Sequence, residues 1–165
     1  MKKSLFILAI LLTILSCSVD NKNAAENVAL IEKYVEAVEN LDYDIMESVL
    51  DDNYMGFGPS FNDSINKEMT VSNWKTNVNN LYESIDYHKS RNLAQFVPDG
   101  ENVGEWVSNW AELSIVYKKD QKKVTLMTNT IYKIENGKIV KSYTFYNEAD
   151  VLEQLGYVFI NPNDL

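Results

Sequence analysis

The feature that most constrains this chain is a change in its hydrophobic period at Ile85. From that residue on, apolar and polar side chains alternate, which is the pattern of strands with two different faces. The alternating segments are residues 85–97, 103–117, 123–135 and 138–147. Short turn sequences separate these segments, and the clearest of them is Asn136-Gly137. We therefore predict that the C-terminal half folds as a four-stranded antiparallel meander.

The residues before Ile85 are predicted to be mainly helical. Apolar residues recur at three- and four-residue spacing over residues 24–40, which indicates a long helix with one buried face. Asp42 is a natural N-cap for a short second helix through Leu50. Thr70 is the expected cap of a third helix that ends at about Ile85.

A short strand and a closing helical turn complete the expected elements. Residues 54–57 can form the strand, and residues 58–68 are expected to form a loop. Residues 149–155 are expected to form a helical turn that ends at Gly156. We predict one α+β domain over residues 27–160, with N-terminal helices packed on a curved, mainly antiparallel sheet.

The turn sequences predict how the last three strands pair. An Asn136-Gly137 type I′ turn places Glu135 opposite Lys138. Continued along both strands, this register pairs Ile131 with Ser142, Asn129 with Thr144, and Met127 with Tyr146. A turn centred on Asp120-Gln121 would pair Trp110 with Ile131, Glu112 with Asn129, and Ser114 with Met127.

The combined register predicts two sheet faces that are both partly apolar. One face carries Trp110, Glu112, Ser114, Met127, Asn129, Ile131, Ser142, Thr144 and Tyr146. The opposite face carries Val107, Asn109, Ala111, Leu113, Thr128, Thr130, Tyr132, Ile134, Ile139, Lys141, Tyr143 and Phe145. An antiparallel sheet in a monomer usually has one clearly polar face. We therefore expect helices to cover one face and a second copy of the chain to cover part of the other.

The N-terminal residues predict export and lipid attachment. Lys2 and Lys3 precede an apolar run over residues 4–15, which is typical of a signal peptide and too short for a permanent membrane span. The run ends in Ile14-Leu15-Ser16-Cys17, which resembles the lipobox of bacterial lipoproteins. Cys17 is the only cysteine, so it has no disulfide partner within the chain.

These observations predict that residues 1–16 are a lipoprotein signal peptide and that Cys17 is acylated. Residues 17–26 then comprise the lipidated cysteine and a polar tether. The alternative is an ordinary secretory signal whose cleavage site contains a cysteine. Ser18, rather than Asp, follows the cysteine, which favours the outer membrane of the cell envelope.

The charge of the chain argues against nucleic acid as a partner. The formal net charge is −9, and loss of the two lysines in residues 1–16 takes it to −11. A strongly acidic protein has no counter-charge to offer to phosphates or to anionic lipids. No cluster of His or Cys, phosphate loop or dinucleotide motif is present, so no metal and no cofactor are expected.

The order of these elements resembles the nuclear transport factor 2-like superfamily, which includes SnoaL-like polyketide cyclases and ketosteroid isomerases. The resemblance rests on Ile31-Glu32-Lys33-Tyr34-Val35, Leu41-Asp42, Leu50-Asp51-Asp52, Asn136-Gly137-Lys138-Ile139-Val140, Tyr146-Asn147 and Leu152-Glu153-Gln154-Leu155-Gly156. It implies a cone with a pocket between helices and sheet. It also implies that Ser142, Thr144 and Tyr146 point into that pocket, which selects one of the two faces.

With that face selected, the resemblance implies a mostly apolar pocket with a few polar groups, the usual form of a small-molecule site. Its predicted ligand-binding residues are Tyr34, Phe57, Trp74, Trp110, Glu112, Met127, Asn129, Thr144 and Tyr146. Tyr34 matches the tyrosine that ketosteroid isomerases use as a hydrogen-bond donor to the substrate oxygen. Phe57 stands at the position of their carboxylate base, and Asn129 at that of their second donor. The missing base argues against ketosteroid isomerase activity.

Three functions stay open at this point. The first is binding of a small apolar or amphipathic ligand in the pocket. The second is a cyclase, isomerase or dehydratase reaction with Glu112 or His88 as base and Tyr34 as donor. The third is a scaffold that binds another envelope protein through the open sheet face.

Overall fold

The computed structural model describes residues 22–164, so the predicted signal peptide and Cys17 lie outside the described residues. Within residues 22–164 there are four α-helices, namely α1 Ala24–Glu39, α2 Tyr43–Val49, α3 Lys67–Asn80 and α4 Glu148–Leu155. The strands are β1 Leu50–Phe57, β2 Ser64–Asn66, β3 Tyr82–Val97, β4 Gly104–Tyr117, β5 Lys123–Glu135 and β6 Lys138–Tyr146. A short 3-10 helix, Pro162–Asp164, follows α4.

The strands form one curved, mixed sheet in the order β2-β1-β6-β5-β4-β3. Strands β3 to β6 are the predicted antiparallel meander, and β1 adds to it in parallel with β6. The short strand β2 pairs with β1 and was not predicted, because three residues are too few to show an alternating pattern. The predicted α+β domain with N-terminal helices on a curved sheet is confirmed.

The helix ends follow the sequence at two positions and differ from the prediction at a third. The Asp42 carboxylate accepts from Ile45 N at 3.0 Å, and Gly156 ends α4 with φ 95°. The predicted cap at Thr70 is wrong, because the side chain of Asn66 accepts from Met69 N at 2.9 Å and begins α3 earlier. Helix α3 ends at Asn80, and the segment around Ile85 is strand.

A β-bulge in β6 changes the faces of the sheet. Glu135 pairs with Lys138 as predicted, but beyond Val140 the register slips by one, so that Tyr132 pairs with Ser142. The β4–β5 register differs from the prediction by two residues, which keeps the same side chains on the same face. Because of the one-residue slip, the side chains of β4 and β5 lie on the opposite sheet face, relative to those of β6, from the face predicted. The predicted assignment of faces is therefore wrong for both strands.

The hydrophobic core lies between the helices and the inner face of the sheet. Its fully buried members include Ile31, Val38, Met46, Val107, Val124 and Ile139. Helix α1 crosses this face and is attached at its N-terminal end by the side chains of Asn23 and Asn27, which donate to the Glu105 carboxylate at 2.7 and 2.8 Å. No helix within residues 22–164 is both long and apolar enough to cross a membrane.

The opposite end of the sheet carries α4. The Gln154 side chain accepts from the backbone N–H of Thr125 and donates to its carbonyl, both at 2.9 Å. These two bonds fix α4 against the beginning of β5, while Asn27 and Glu105 hold α1 near the end of β5.

Candidate ligand-binding site

A cavity of about 220 Å³ lies between the helices and the inner face of the sheet. Its walls come from α1, α3, α4 and strands β3 to β6. The lining residues that carry the argument below are Tyr34, Trp74, Tyr82, Tyr87, Leu113, Tyr117, Leu126, Thr128, Thr130, Tyr132, Thr144, Tyr146 and Val151.

Six tyrosines line this cavity, together with aliphatic residues and three threonines, and none of its lining residues is charged. The rings of Tyr34 and Tyr132 meet edge to face, with centroids 5.7 Å apart and planes at 69°. Tyr82 makes a similar contact with Tyr117 at 5.6 Å. The wall is therefore built mainly from aromatic rings whose hydroxyls are the principal polar groups.

Burial keeps these phenols neutral. Loss of solvation on burial raises the pKa of Tyr34 and of Tyr132 well above the usual value, and neighbouring phenols raise both further. Burial likewise raises the pKa of Tyr82 to about 12. The cavity therefore offers hydroxyl donors and acceptors near neutral pH, and no group in it can act as a carboxylate or imidazole base.

A second cavity, of about 230 Å³, adjoins the first. The two share five lining residues, which we call the shared wall: Tyr34, Trp74, Thr130, Tyr132 and Thr144. The rest of the second lining is more polar and consists of Tyr54, Gly56, Phe57, Gly58, Ile65, Thr70, Asn73, Asn77 and Ser142. It too contains no charged residue.

Gly56 in β1 and Gly58 directly after it let the chain pack closely against β6 beside the second cavity. A Cβ at Gly58, where φ is 92°, would lie 2.3 Å from the carbonyl oxygen of Thr144. A Cβ at Gly56 would lie 2.7 Å from the hydroxyl of Tyr54. That hydroxyl is itself 2.6 Å from Ser142 Oγ, so the floor of this cavity has no room for a larger residue at either position.

The structure brings five of the predicted ligand-binding residues together around the two cavities. Tyr34, Trp74 and Thr144 line both cavities, and Tyr146 lines the first. Phe57 borders the second, although its ring stacks on Tyr143 of the open face. These residues come from α1, α3, β1 and β6, the elements whose faces the bulge does not alter.

The other four predicted residues lie on the open face of the sheet, so the prediction that they line the cavity is wrong. Trp110 is 42% exposed and Met127 is 79% exposed, and Glu112 and Asn129 share their face. The cause is the bulge at Val140, which the turn-based register did not include.

The two candidate bases also lie outside the cavity. Glu112 Oε1 is 2.5 Å from Lys89 Nζ on the open face. His88 pairs with Glu112 across β3 and β4 and is exposed. Neither side chain is among the lining residues around Tyr34.

The sequence analysis missed the side chains that β4 and β5 contribute to the cavity, namely Leu113, Ile115, Tyr117, Leu126, Thr128, Thr130 and Tyr132. Most of them stood on the face that was predicted to be open. Ile139 could have indicated the bulge. It is strongly apolar and so is expected to face the core, but it is an odd number of residues from Thr144. In a regular strand the two side chains would therefore point to opposite faces, and both can face inward only if a bulge lies between them.

The open face carries an aromatic row and an apolar patch. The rings of Trp106, Tyr143 and Phe57 stack in sequence, with centroids 6.2 and 5.2 Å apart. Beside the row lie four exposed large side chains, which we call the open-face patch: Leu93, Trp110, Met127 and Phe145. Among the described residues, no group of three or more His, Cys, Asp or Glu side chains is placed to hold a metal ion.

The sequence matches no protein-family model, and no curated protein matches it. Solved structures do resemble it. A proposed polyketide cyclase from Xanthomonas campestris pv. campestris has 13% identity and a TM-score of 0.67, over 81% of this chain and 99% of that one. A proposed SnoaL-like polyketide cyclase from Shewanella denitrificans has 10% identity and a TM-score of 0.63, over 79% and 96%.

A third similar structure is a protein with a ketosteroid isomerase-like fold from Catenulispora acidiphila, solved in complex with trimethylamine. It has 11% identity and a TM-score of 0.61, over 78% of this chain and 93% of that one. These likenesses confirm that the chain has the nuclear transport factor 2-like cone fold that the sequence resemblance implies.

Proposed function

We propose that this chain is an exported, lipid-anchored protein that binds a small, uncharged, amphipathic molecule in the cavity between its helices and sheet. The observation that carries this proposal is the composition of the wall, which has six tyrosines and no charged residue. Aromatic rings supply apolar contact, and their hydroxyls supply directional hydrogen bonds to a polar group.

The absence of charge in the wall favours an uncharged ligand. A charged group that moves from water into an apolar site without a counter-charge carries a large free-energy penalty. Neither cavity offers an Arg, Lys, His, Asp or Glu side chain to offset that penalty. An uncharged molecule with a few hydroxyl or carbonyl groups avoids it.

The same composition favours binding over general acid–base catalysis. A positioned base must lie within hydrogen-bond reach of the proton that it removes. Glu112 and His88 lie on the open face, and the phenols that remain near Tyr34 are held neutral by burial. Tyr34 therefore serves in this proposal as a hydrogen-bond donor to bound ligand.

Ligand binding can be tested by calorimetry on the mature chain with Cys17→Ser, using the uncharged ester methyl octanoate as the probe. We expect saturable binding to one site and binding of octanoate that is at least about tenfold weaker, a difference of about 1.4 kcal/mol. Thr128→Trp, which fills the cavity, should abolish binding, whereas Met127→Trp on the opposite face should not. Equal loss in both variants, or no binding to the wild-type chain, would contradict the proposal.

Lipid attachment at Cys17 is supported by the lipobox-like sequence and by the absence of a second cysteine. The test is fractionation of cells that express the full chain. The wild-type protein should sediment with membranes and incorporate labelled palmitate, and Cys17→Ala should do neither. Palmitate incorporation that persists in Cys17→Ala would refute this part of the proposal.

We further propose that two copies associate through the open-face patch. A two-fold symmetric dimer brings the same patch from each copy together, so an apolar patch is complementary to itself. Arg91, Lys133 and Lys141 share this face, which lowers the repulsion expected between two copies of an acidic chain.

A further inference from the structure

The two cavities differ in chemistry, although they share one wall. The first is surrounded by tyrosine rings and aliphatic side chains, among them Leu113, Ile115 and Leu126. The second is bounded by the amides of Asn73 and Asn77 and by several hydroxyls. An amphipathic ligand has the same division into an apolar part and a polar part.

Neither cavity is large enough alone for a typical small-molecule ligand. Ligand pockets usually measure about 300–1,000 Å³, whereas these measure about 220 and 230 Å³. Taken together, the two cavities reach the usual range, and a ligand that occupied both would contact the shared residues, among them Trp74 and Thr144.

The polar groups of the second cavity are not equally available to a ligand. The Tyr54 and Ser142 hydroxyls bond each other at 2.6 Å, and Thr70 Oγ1 donates to the Asn66 carbonyl at 2.8 Å. In the shared wall, the Thr130 and Thr144 hydroxyls lie 3.3 Å apart and also bond each other. These hydroxyls already have partners within the protein.

The amides of Asn73 and Asn77 face this cavity without such a partner, as do the hydroxyls of Tyr34 and Tyr132 in the shared wall. The Asn73 side chain is exposed and the Asn77 side chain is half-buried. They lie four residues apart on α3, so they occupy the same face of the helix, one turn from each other. Each amide can donate and accept hydrogen bonds, and neither carries charge. Two adjacent amides suit a head group with hydroxyl or carbonyl oxygens, and they offer nothing to balance an ionic head group.

We infer that the ligand spans both cavities, with an apolar body among the tyrosines and an uncharged, hydroxyl- or amide-bearing head hydrogen-bonded to Asn73 and Asn77. This inference rests on the proposed ligand-binding function and adds to it the class of ligand and the residues that select it. Asn73 and Asn77 act in it as specificity-determining residues.

The inference can be tested with two probes that share an acyl chain and differ in the head group. Monooctanoylglycerol carries two hydroxyls, and methyl octanoate carries none. On the mature chain with Cys17→Ser, calorimetry should show that monooctanoylglycerol binds at least about fivefold more tightly, as expected for two net hydrogen bonds.

The matched variants replace an amide with an apolar side chain of similar size. Asn73→Leu combined with Asn77→Leu should remove the preference for monooctanoylglycerol, so that the two probes bind with affinities within about twofold of each other. Asn79→Leu is the control, because Asn79 is exposed on the same helix and lines neither cavity. As a readout that needs no variant, intermolecular nuclear Overhauser effects should connect the glycerol protons with the side-chain amides of Asn73 and Asn77.

The outcomes separate this inference from the proposed function. Equal affinity for the two probes, or a preference that survives in the double variant, would overturn the inference and leave apolar ligand binding in place. Failure of both probes to bind the folded wild-type chain would overturn both.

Discussion

The hydroxyl oxygens of Tyr54 and Ser142 lie 2.6 Å apart beneath the second cavity and connect β1 with its parallel neighbour β6. Both side chains are buried, so each hydroxyl depends on the other for its hydrogen bond. The pair holds β1, and with it Gly56 and Phe57, against the part of β6 that lines the cavities.

Removal of one partner of this pair should destabilise the fold more than removal of both. Ser142→Ala leaves the buried Tyr54 hydroxyl without a partner, which should lower the free energy of unfolding by about 1–3 kcal/mol. Tyr54→Phe combined with Ser142→Ala should recover part of that loss. Urea denaturation of the two single variants and the double variant measures the coupling, and strictly additive losses would argue against the bond.

Gly58 should tolerate substitution far less well than another glycine with positive φ. A Cβ at Gly58 would lie 2.3 Å from the Thr144 carbonyl oxygen, whereas one at Gly100, with φ 81°, would meet nothing within 4 Å. Gly100→Ala should therefore lose about 1 kcal/mol through backbone strain alone. Gly58→Ala should lose more and should weaken probe binding at the second cavity. Thermal denaturation and calorimetry would show this, and equal stability losses would contradict the close approach.

The buried phenols should make the domain sensitive to alkali. The pKa of Tyr82 is raised by burial from about 10 in the unfolded chain to about 12 in the fold. Because the folded state favours the protonated phenol, its stabilising contribution is fully present below pH 10 and is lost between pH 10 and pH 12. For Tyr82 the loss should be on the order of 2 kcal/mol.

This alkaline loss can be measured by urea denaturation at a series of pH values, with tyrosinate absorbance as a second signal. Tyr82→Phe should reduce the loss of stability above pH 10, whereas Tyr157→Phe, at an exposed tyrosine, should leave it unchanged. A stability that is constant from pH 9 to pH 12 would contradict the burial of the tyrosine cluster.

Substitution of the two candidate bases should leave ligand binding intact. Glu112 is paired with Lys89 on the open face, and His88 is exposed beside it. Glu112→Gln and His88→Ala should change the affinity for methyl octanoate by less than about twofold, and Glu112→Gln should cost at most about 1 kcal/mol of stability, the usual limit for a surface ion pair. A tenfold loss of affinity in either variant would place these residues in the site after all.

Charge on the open-face patch should prevent self-association. Met127→Asp would place a carboxylate in the middle of any interface formed by this patch, where it has no counter-charge. Sedimentation velocity should show a dimer for the wild-type chain and a monomer for Met127→Asp. The control is Thr125→Asp, which places a carboxylate on the same face of β5 but nearer the end of the strand. It should weaken the dimer less. A wild-type chain that stays monomeric at high concentration would contradict the proposed dimer.

The elements of the fold could be predicted from the sequence, because each left a strong local pattern. The long helix at Ile31 and Val35 shows helical periodicity, and the Asn136-Gly137 turn defines the last hairpin. The parallel pairing of β1 with β6 left no such pattern, since it depends on contacts between residues about ninety positions apart, such as Tyr54 and Ser142.

The residues that line the cavity were predicted in part, and the errors arise from one extra residue in β6. Residues on helices and on β6, such as Tyr34 and Thr144, were assigned correctly to the cavity. The extra residue at Val140 reversed β4 and β5, so Glu112 and Asn129 were expected where Thr128 and Thr130 lie. A bulge changes the strand register without any change in the turn sequence, so the turn does not reveal it. In a strand that is partly apolar on both faces, the hydrophobic pattern does not reveal it either.

The bonds from Asn23 and Asn27 to Glu105 fix which end of the domain lies beside the predicted anchor. With Cys17 acylated and α1 beginning at Ala24, the intervening chain can extend only about 3.3–3.6 Å per residue, or roughly 25 Å. The tether would then join the domain at the end of the sheet near Glu105. Helix α4 and Val151 lie near Thr125, about nine residues or roughly 30 Å further along β5. The tyrosine cavity, which reaches Val151, would thus extend away from the point at which the tether joins the domain.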